Sequence, residues 1–426
     1  MRPRALVVLT GRELVRGDKV DGNGAFVARE LTRLGLEPVR IVLVGDDPAE
    51  LERAVAEGLA ADVCVLSGGL GPTHDDRTVE TLARVAGRPL RVDDELAAEI
   101  EAVSRAVAER LQRPYADFAH GVRKQASVPE GGIAVGLAGT APAVVLPLDD
   151  RVAVALPGPP NELRRLWPRV LESEAFRRVV ARAELPAHRV LRFFGPSESA
   201  VARALDEAGG EGEGVAVTVC AHDLEIRVDL YARAGGEGRA GALVEALTAR
   251  FAGELFATDD RPVAELVLDL CRERGWTLAT AESCTGGLVG ARLTDVPGSS
   301  DVYLGGAVAY ADSAKQALLG VPHALLEEHG AVSAEVADAM AEGVRSELGA
   351  EVGVSVTGIA GPDGGTEEKP VGLVFLSVRT PTDGTTERFV LPGDREAVRA
   401  RATAWALHTL RRLLAQPGTH AHDRSG

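Results

Sequence analysis

Lysine is nearly missing from this sequence. Of 47 lysines and arginines only four are lysine: Lys19, Lys124, Lys315 and Lys369. A bias towards arginine enriches the surviving lysines for places where arginine cannot serve. Lysine can lose its proton when desolvated, and arginine effectively cannot. No apolar run approaches the roughly 18 residues of a membrane span, so none is expected. The start, MRPRALVVLTGREL, reads as a first strand and not as a signal peptide. The four cysteines (Cys64, Cys220, Cys271 and Cys284) are scattered, which excludes a disulfide framework and paired CxxC metal spacing. A reducing cytoplasm is the expected location. HExxH and P-loop patterns are also lacking. A formal net charge of −16 and the lack of basic–aromatic patches argue against nucleic acid and acidic membranes as partners.

What is present alternates. A chain of 426 residues predicts two or three domains. ALVVL, RIVLVG and DVCVLSGG read as short buried strands. AFVARELTRLG, AELERAVAEGLA and TVETLARVAG read as helices between and after them. This rhythm predicts an α/β, doubly wound first domain over 1–170. Its ligand is expected beyond the carboxyl ends of the strands, where SGGLGPTHDDRT lies. Residues 171–256 read as a small α+β module, with ATDDRP as a linker. Residues 260–416 alternate again, predicting a C-terminal α/β domain, and 417–426 a disordered tail.

In the last domain, TAESCTGGLVGARL reads as a strand, a glycine turn and a helix. Such a junction exposes a nucleophile. Ser283 and Cys284 are both candidates, and the N–H groups of the helix start could bind a phosphate or an oxyanion. Ser283 and Thr285 could equally be helix caps. A serine needs a base. His323, His329 and His408 lie in or beside helical segments away from the turns. Lys315 follows a strand that ends in Tyr310, and Ser–Lys is a known hydrolase arrangement. Lys315 could also be a surface lysine beside Asp312. In SGGLGPTHDDRT, glycines could admit a phosphate or pterin, and Asp75 and Asp76 could bind a divalent cation or simply begin a helix.

AESCTGG, PGSS, YADSAKQALLGV, GAVS and TGIAGPDGGTEEKPVG, in this order, resemble the nicotinamide-nucleotide amidase domain of the competence/damage-inducible protein CinA family. The resemblance implies hydrolysis of the carboxamide of nicotinamide mononucleotide (NMN) to nicotinate mononucleotide and ammonia, with no cofactor. It makes Ser283 the nucleophile, Lys315 its base and Tyr310 a supporting hydroxyl. Thr285, Gly286 and Gly287 become the oxyanion and substrate cradle, and Cys284 a bystander. The NMN phosphate is expected either at 286–287 or at the loop 358–365, which begins with Gly358. Asp312 stands where the family commonly has asparagine. Glu282 receives no role.

VGDD, SGGLGPTHDDRT, KQASVPEGG, GTAP and LPGPPNEL likewise resemble the molybdopterin-binding-like domain of that family. There the resemblance implies a divalent-metal-dependent ADP-ribose pyrophosphatase, with Gly69, Gly71, Thr73, Thr78 and Lys124 at the ligand and Asp46, Asp75 and Asp76 at the metal. GREL, GNG, GLAGTAPA and RVLRFFGPSES depart from the family pattern. A homo-oligomer, a dimer, is the expected assembly. The alternatives are a non-enzymatic competence or DNA-damage partner and a molybdopterin-related binding protein.

Overall fold

A computed structural model of the chain describes residues 2–119 and 121–416. The expected disordered tail, 417–426, lies outside the described residues. The chain forms two compact units, one up to Pro186 and one from Ala187 onward.

The first unit is built on a six-stranded sheet in the order Glu37–Val44, Arg4–Thr10, Val63–Ser67, Arg151–Leu156, Pro142–Leu148, Ile133–Leu137. The first four strands are parallel, and the last two are antiparallel additions. Ala5 to Leu9 are buried without a break, as a sheet covered on both faces requires. Ala5, Val7 and Leu9 pack with Val27 and Leu31 of the helix Asn23–Arg33 and with Leu163 and Trp167 of Pro160–Glu172. Leu6 and Val8 face the other way, onto Val55 of Pro48–Leu59, Leu82 of Thr78–Val85 and Ile100 of Asp94–Arg110. This is the expected doubly wound domain.

Its end differs from the expected 170. That position lies inside Pro160–Glu172, and the next helix, Glu174–Val180, sends Phe176 and Val179 into the same core. Phe176 meets Trp167 edge-on, with ring centroids 5.8 Å apart. The segment after the expected boundary is a further helix packed on the same sheet, not a new domain.

The second unit holds the middle module and the last domain together. The module is an antiparallel sheet in the order Val215–His222, Glu225–Ala232, Ala187–Phe194, Leu255–Ala257. The helices Glu198–Glu207 and Glu237–Arg250 cover one face with Val201, Leu205, Leu243 and Leu247. The last domain has a five-stranded sheet in the order Tyr303–Val308, Leu278–Glu282, Val352–Gly358, Leu373–Arg379, Gly384–Val390. Its first three strands are parallel and the last two antiparallel. Val263–Arg274 and the long Arg395–Ala415 pack on one face, Asp312–Leu319 and Ala334–Leu348 on the other. Among the described residues no helix is long and apolar enough to cross a membrane.

One buried histidine joins module to domain. His408, 0% exposed in the final helix, stacks on Phe194 at 3.8 Å, and its Nε2 lies 2.8 Å from the Glu225 carboxylate. Burial drives its pKa down. The Glu225 bond and charge oppose this, and Arg411 and Arg412 reinforce it. The neutral ring then donates Nε2–H to Glu225, and Nδ1 is left buried without a partner.

A depressed histidine pKa stabilises the fold above the unfolded value, near 6.5, and that stability is lost as pH falls. The second unit is therefore expected to lose stability as pH drops below about 6.5. His408→Gln should flatten that slope, as read from denaturant midpoints between about pH 7 and pH 5.

Candidate active site

The strands Leu278–Glu282 and Tyr303–Val308 lie side by side, with Glu282 opposite Val308. Ala309 N–H donates to the Glu282 carbonyl at 2.8 Å, and Ser283 N–H to the Val356 carbonyl at 2.9 Å. Ser283 thus leaves the carboxyl edge of the parallel strands, flanked by the segment that continues to Tyr310 and Lys315. Gly286 and Gly287 turn the chain into the helix Leu288–Thr294 with φ of 61° and 97°, which glycine adopts without strain.

Glu282, without a role from the sequence, organises this turn. Its carboxylate is 2% exposed and accepts N–H bonds from Gly287 at 3.0 Å, Val289 at 3.0 Å and Gly290 at 2.9 Å. It satisfies the helix start that a ligand anion would otherwise occupy. From the other side, Arg399 donates to the carbonyls of Cys284 at 3.1 Å and Thr285 at 2.9 Å.

Lys315 sits at the first turn of Asp312–Leu319 and is 1% exposed, so it is no surface lysine. Its Nζ donates to the Tyr310 carbonyl at 3.1 Å and to Asp312 Oδ1 at 3.4 Å. No hydrogen bond joins it to Ser283 among the described residues. Catalytic hydrogen bonds commonly close only when substrate is bound.

Four expected roles change. Tyr310 supports Lys315 through its carbonyl. Its hydroxyl, on a side chain that is largely exposed, bonds Arg395 Nη2 at 2.9 Å. The Gly287 N–H is engaged by Glu282 and the Gly286 N–H by the Ser283 carbonyl at 3.1 Å, so neither is a free oxyanion donor. Thr285 is 0% exposed, its hydroxyl buried without a partner, so its side chain does not line a surface that a ligand meets. Gly358 is small because a Cβ there would stand 2.7 Å from the Leu373 carbonyl of the adjacent strand.

Sequence reasoning missed Arg395 and Arg399. They lie more than a hundred residues after Ser283, one turn apart at the start of the final helix. Arg395 also donates to the Gly361 carbonyl at 2.8 Å, so it ties the loop 358–365 to Tyr310. Cations at a helix start oppose the macrodipole, and that mismatch was a readable signal.

In the first unit, a cleft of about 440 Å³ gathers Thr10, Gly11, Gly45, Ser67, Gly68 and Gly158. All of them end or follow parallel strands, as the fold predicts. Asp46, Asp75, Asp76, Gly69 and Thr78 border it, as does Lys19. Gly71 and Lys124 border a smaller neighbouring cleft that shares Gly69 and Asp76. Thr73 lines neither. Its N–H and hydroxyl donate to Asp76 Oδ2 at 2.9 and 2.6 Å, and its carbonyl accepts from Lys124. Thr78 is 0% exposed, and its hydroxyl donates to the Gly68 carbonyl at 2.7 Å and so holds the loop. Asn23, in the departing GNG, donates from Nδ2 to Ser67 Oγ and the Gly158 carbonyl, closing the cleft floor.

The expected metal trio is not assembled. Asp46 pairs with Arg12 at 2.8 Å, Asp75 with His74 at 2.7 Å, and Asp76 faces Thr73. Among the described residues no three His, Cys, Asp or Glu side chains converge as a metal site. The loop makes these carboxylates internal partners instead.

An α/β domain with a serine turn beside a buried lysine, joined to a doubly wound domain with a strand-end cleft, defines the class. Family models match all three parts: a probable molybdopterin binding domain over 6–177, a damage-inducible protein CinA KH domain over 188–257 and a CinA C-terminal domain over 260–414. A CinA-like protein of Mycobacterium sp. (strain MCS) is 43% identical over 97% of this chain and 99% of its own length. A putative competence-damage inducible protein of Symbiobacterium thermophilum is 41% identical over 96% and 98%. A solved competence/damage inducible protein of Agrobacterium tumefaciens is 37% identical over 38% of this chain and all of its own, with a TM-score of 0.35. The chain belongs to the CinA family.

Cys284 is only 5% exposed, and burial pushes its thiol up to about 12. Its own and the Thr285 N–H and Arg399 pull down without prevailing, and Glu282 adds to the rise. Cys64 and Cys271 are likewise buried and pushed up to about 12, whereas Cys220 is exposed. Thiolate is the reactive form. Titrating the native protein with an aromatic disulfide reagent at pH 8 is expected to release one equivalent, from Cys220, and all four only after unfolding.

Proposed function

We propose that the second unit hydrolyses the carboxamide of NMN, giving nicotinate mononucleotide and ammonia. The observation that carries this reading is the buried lysine. Lys315, 1% exposed, stands beside the strand end that presents Ser283. Ser283 Oγ attacks the amide carbon, and Lys315 takes the hydroxyl proton. As the tetrahedral intermediate collapses, Lys315 returns that proton to the departing nitrogen, which leaves as ammonia. Water then attacks the acyl-enzyme with Lys315 again as base, freeing Ser283 and the nicotinate product.

The phosphate position also narrows. Of the two expected places, the helix start at 286–287 is filled by the Glu282 carboxylate. Arg395, bound to the loop 358–365 through Gly361, supplies a cation at the other. We assign the phosphate there. The resulting substrate bridges the serine turn and the final helix.

For the first unit we propose nucleotide binding in the strand-end cleft. Its 440 Å³ suits a nucleotide-sized ligand. The ADP-ribose pyrophosphatase reading rests on resemblance alone, and because Asp46, Asp75 and Asp76 do not converge, no metal step is assigned to them. ADP-ribose should bind without rapid conversion to AMP when Mg²⁺ is supplied. Fast AMP release that Asp76→Ala abolishes would restore the pyrophosphatase reading.

Ammonia release from NMN decides the main proposal. Ser283→Ala and Lys315→Ala should each lower kcat by at least about a thousandfold, while Cys284→Ala stays near wild type. Undiminished release in Ser283→Ala would remove the serine mechanism.

A further inference from the structure

Glu282 is the least explained polar group near the site. It is a buried carboxylate immediately before the nucleophile, and no step above uses it. Both of its oxygens are engaged. Oε2 accepts from Gly287 and Val289 at 3.0 Å, and Oε1 accepts from Gly290 at 2.9 Å. At 2% exposure it has no path to a substrate, so it is neither acid nor base in the reaction.

An ordinary helix cap sits at the residue just before the helix and reaches two or three residues forward. Here that residue is Gly287, held at φ 97°, where a side chain would be strained and where glycine has none to offer. The cap instead comes from five residues upstream. The bond path therefore closes a ring around Ser283, Cys284, Thr285 and Gly286. Several backbone groups inside the ring are held as well. Ser283 N–H is on the sheet at Val356, Gly286 N–H is on the Ser283 carbonyl, and Arg399 holds the Cys284 and Thr285 carbonyls.

The backbone beside Glu282 is also clasped. A Cβ on Gly290 would stand 2.6 Å from the Tyr303 hydroxyl, which bonds Thr280 at 2.7 Å. The helix start is thus pressed onto the two strands that carry Ser283 and lead to Lys315. Any loosening of Glu282 shifts the serine relative to the lysine. A misplacement of about 1 Å at a reacting group costs roughly a hundredfold in rate.

We infer that Glu282 is the positioning residue for Ser283: its buried carboxylate clasps the following helix start and so holds the nucleophile's turn in reactive shape. This rests on the proposed serine mechanism for its kinetic consequence, though the clasp itself does not. The anion also fills the helix's positive end with a group that belongs to the protein, so that end is closed to substrate phosphate.

Three measurements on full-length Glu282→Ala and Glu282→Gln test it. In folded Glu282→Ala, kcat for NMN should fall about a hundredfold with KM within about twofold. Glu282→Gln should recover part of this, to about tenfold below wild type, because its amide oxygen still accepts N–H bonds while its NH₂ cannot. Labelling of Ser283 by a fluorophosphonate, read by mass, should fall in the same order. Hydrogen exchange in the peptide 283–292 should quicken in both variants. Wild-type kcat and labelling in a folded Glu282→Ala would overturn the inference. If that variant does not fold, wild-type kcat and unchanged exchange in Glu282→Gln would do so. If the wild type releases no ammonia from NMN, the substrate reading fails, and labelling and exchange alone decide the clasp.

Discussion

The three N–H bonds that Glu282 accepts set the layout of the C-terminal site. Because they fill a helix start with a carboxylate, that end cannot serve as the anion pocket that a glycine turn usually advertises. The remaining positive charge then comes from the opposite side, from Arg395 and Arg399 on the final helix. The serine turn lies between the Glu282 carboxylate on one flank and the Arg399 guanidinium on the other.

A shared topological rule lies beneath both sites. In each α/β domain the parallel strands stop at one edge, and the loops that leave that edge carry the chemistry. In the first unit the loops after Arg4–Thr10, Val63–Ser67 and Arg151–Leu156 make a cleft. In the second, Leu278–Glu282 and Tyr303–Val308 end together and deliver Ser283 and Lys315 from separate segments. The antiparallel strands appended to each sheet contribute edges, not catalytic groups.

Much of this was legible before any coordinates, because it depended on local pattern. Unbroken apolar runs such as ALVVL marked strands buried on both faces, and Leu278–Glu282 followed by two glycines marked the turn. What was not legible depended on partners distant in sequence. Arg399 reaches Cys284 and Thr285 across more than a hundred residues, and His408 reaches Glu225 across the module boundary. The residues alone left the aspartates of SGGLGPTHDDRT open between a cation site and a helix start, and only the resemblance made them metal ligands. In the fold Asp76 turns back onto Thr73. The first domain's end was misplaced for a related reason: the local sequence reads the same whether the next helix joins the old core or starts a new one.

The scarcity of lysine directs attention to four positions, and the structure separates them. Three of the four lysines donate from a single ammonium to main-chain carbonyls: Lys124 to Thr73, Lys315 to Tyr310 and Lys369 to His329 and Val332. Arginines make such contacts too, as Arg395 does with the Gly361 carbonyl and Arg399 with those of Cys284 and Thr285. Scarcity alone therefore does not single out a catalytic lysine. What separates Lys315 from Lys369 is its surroundings. Lys369 has two carbonyl partners, His329 and Val332, and so clamps the turn after the helix His323–His329. Lys315 has one carbonyl, one carboxylate at the longer distance of 3.4 Å, and almost complete burial beside a nucleophile-bearing turn.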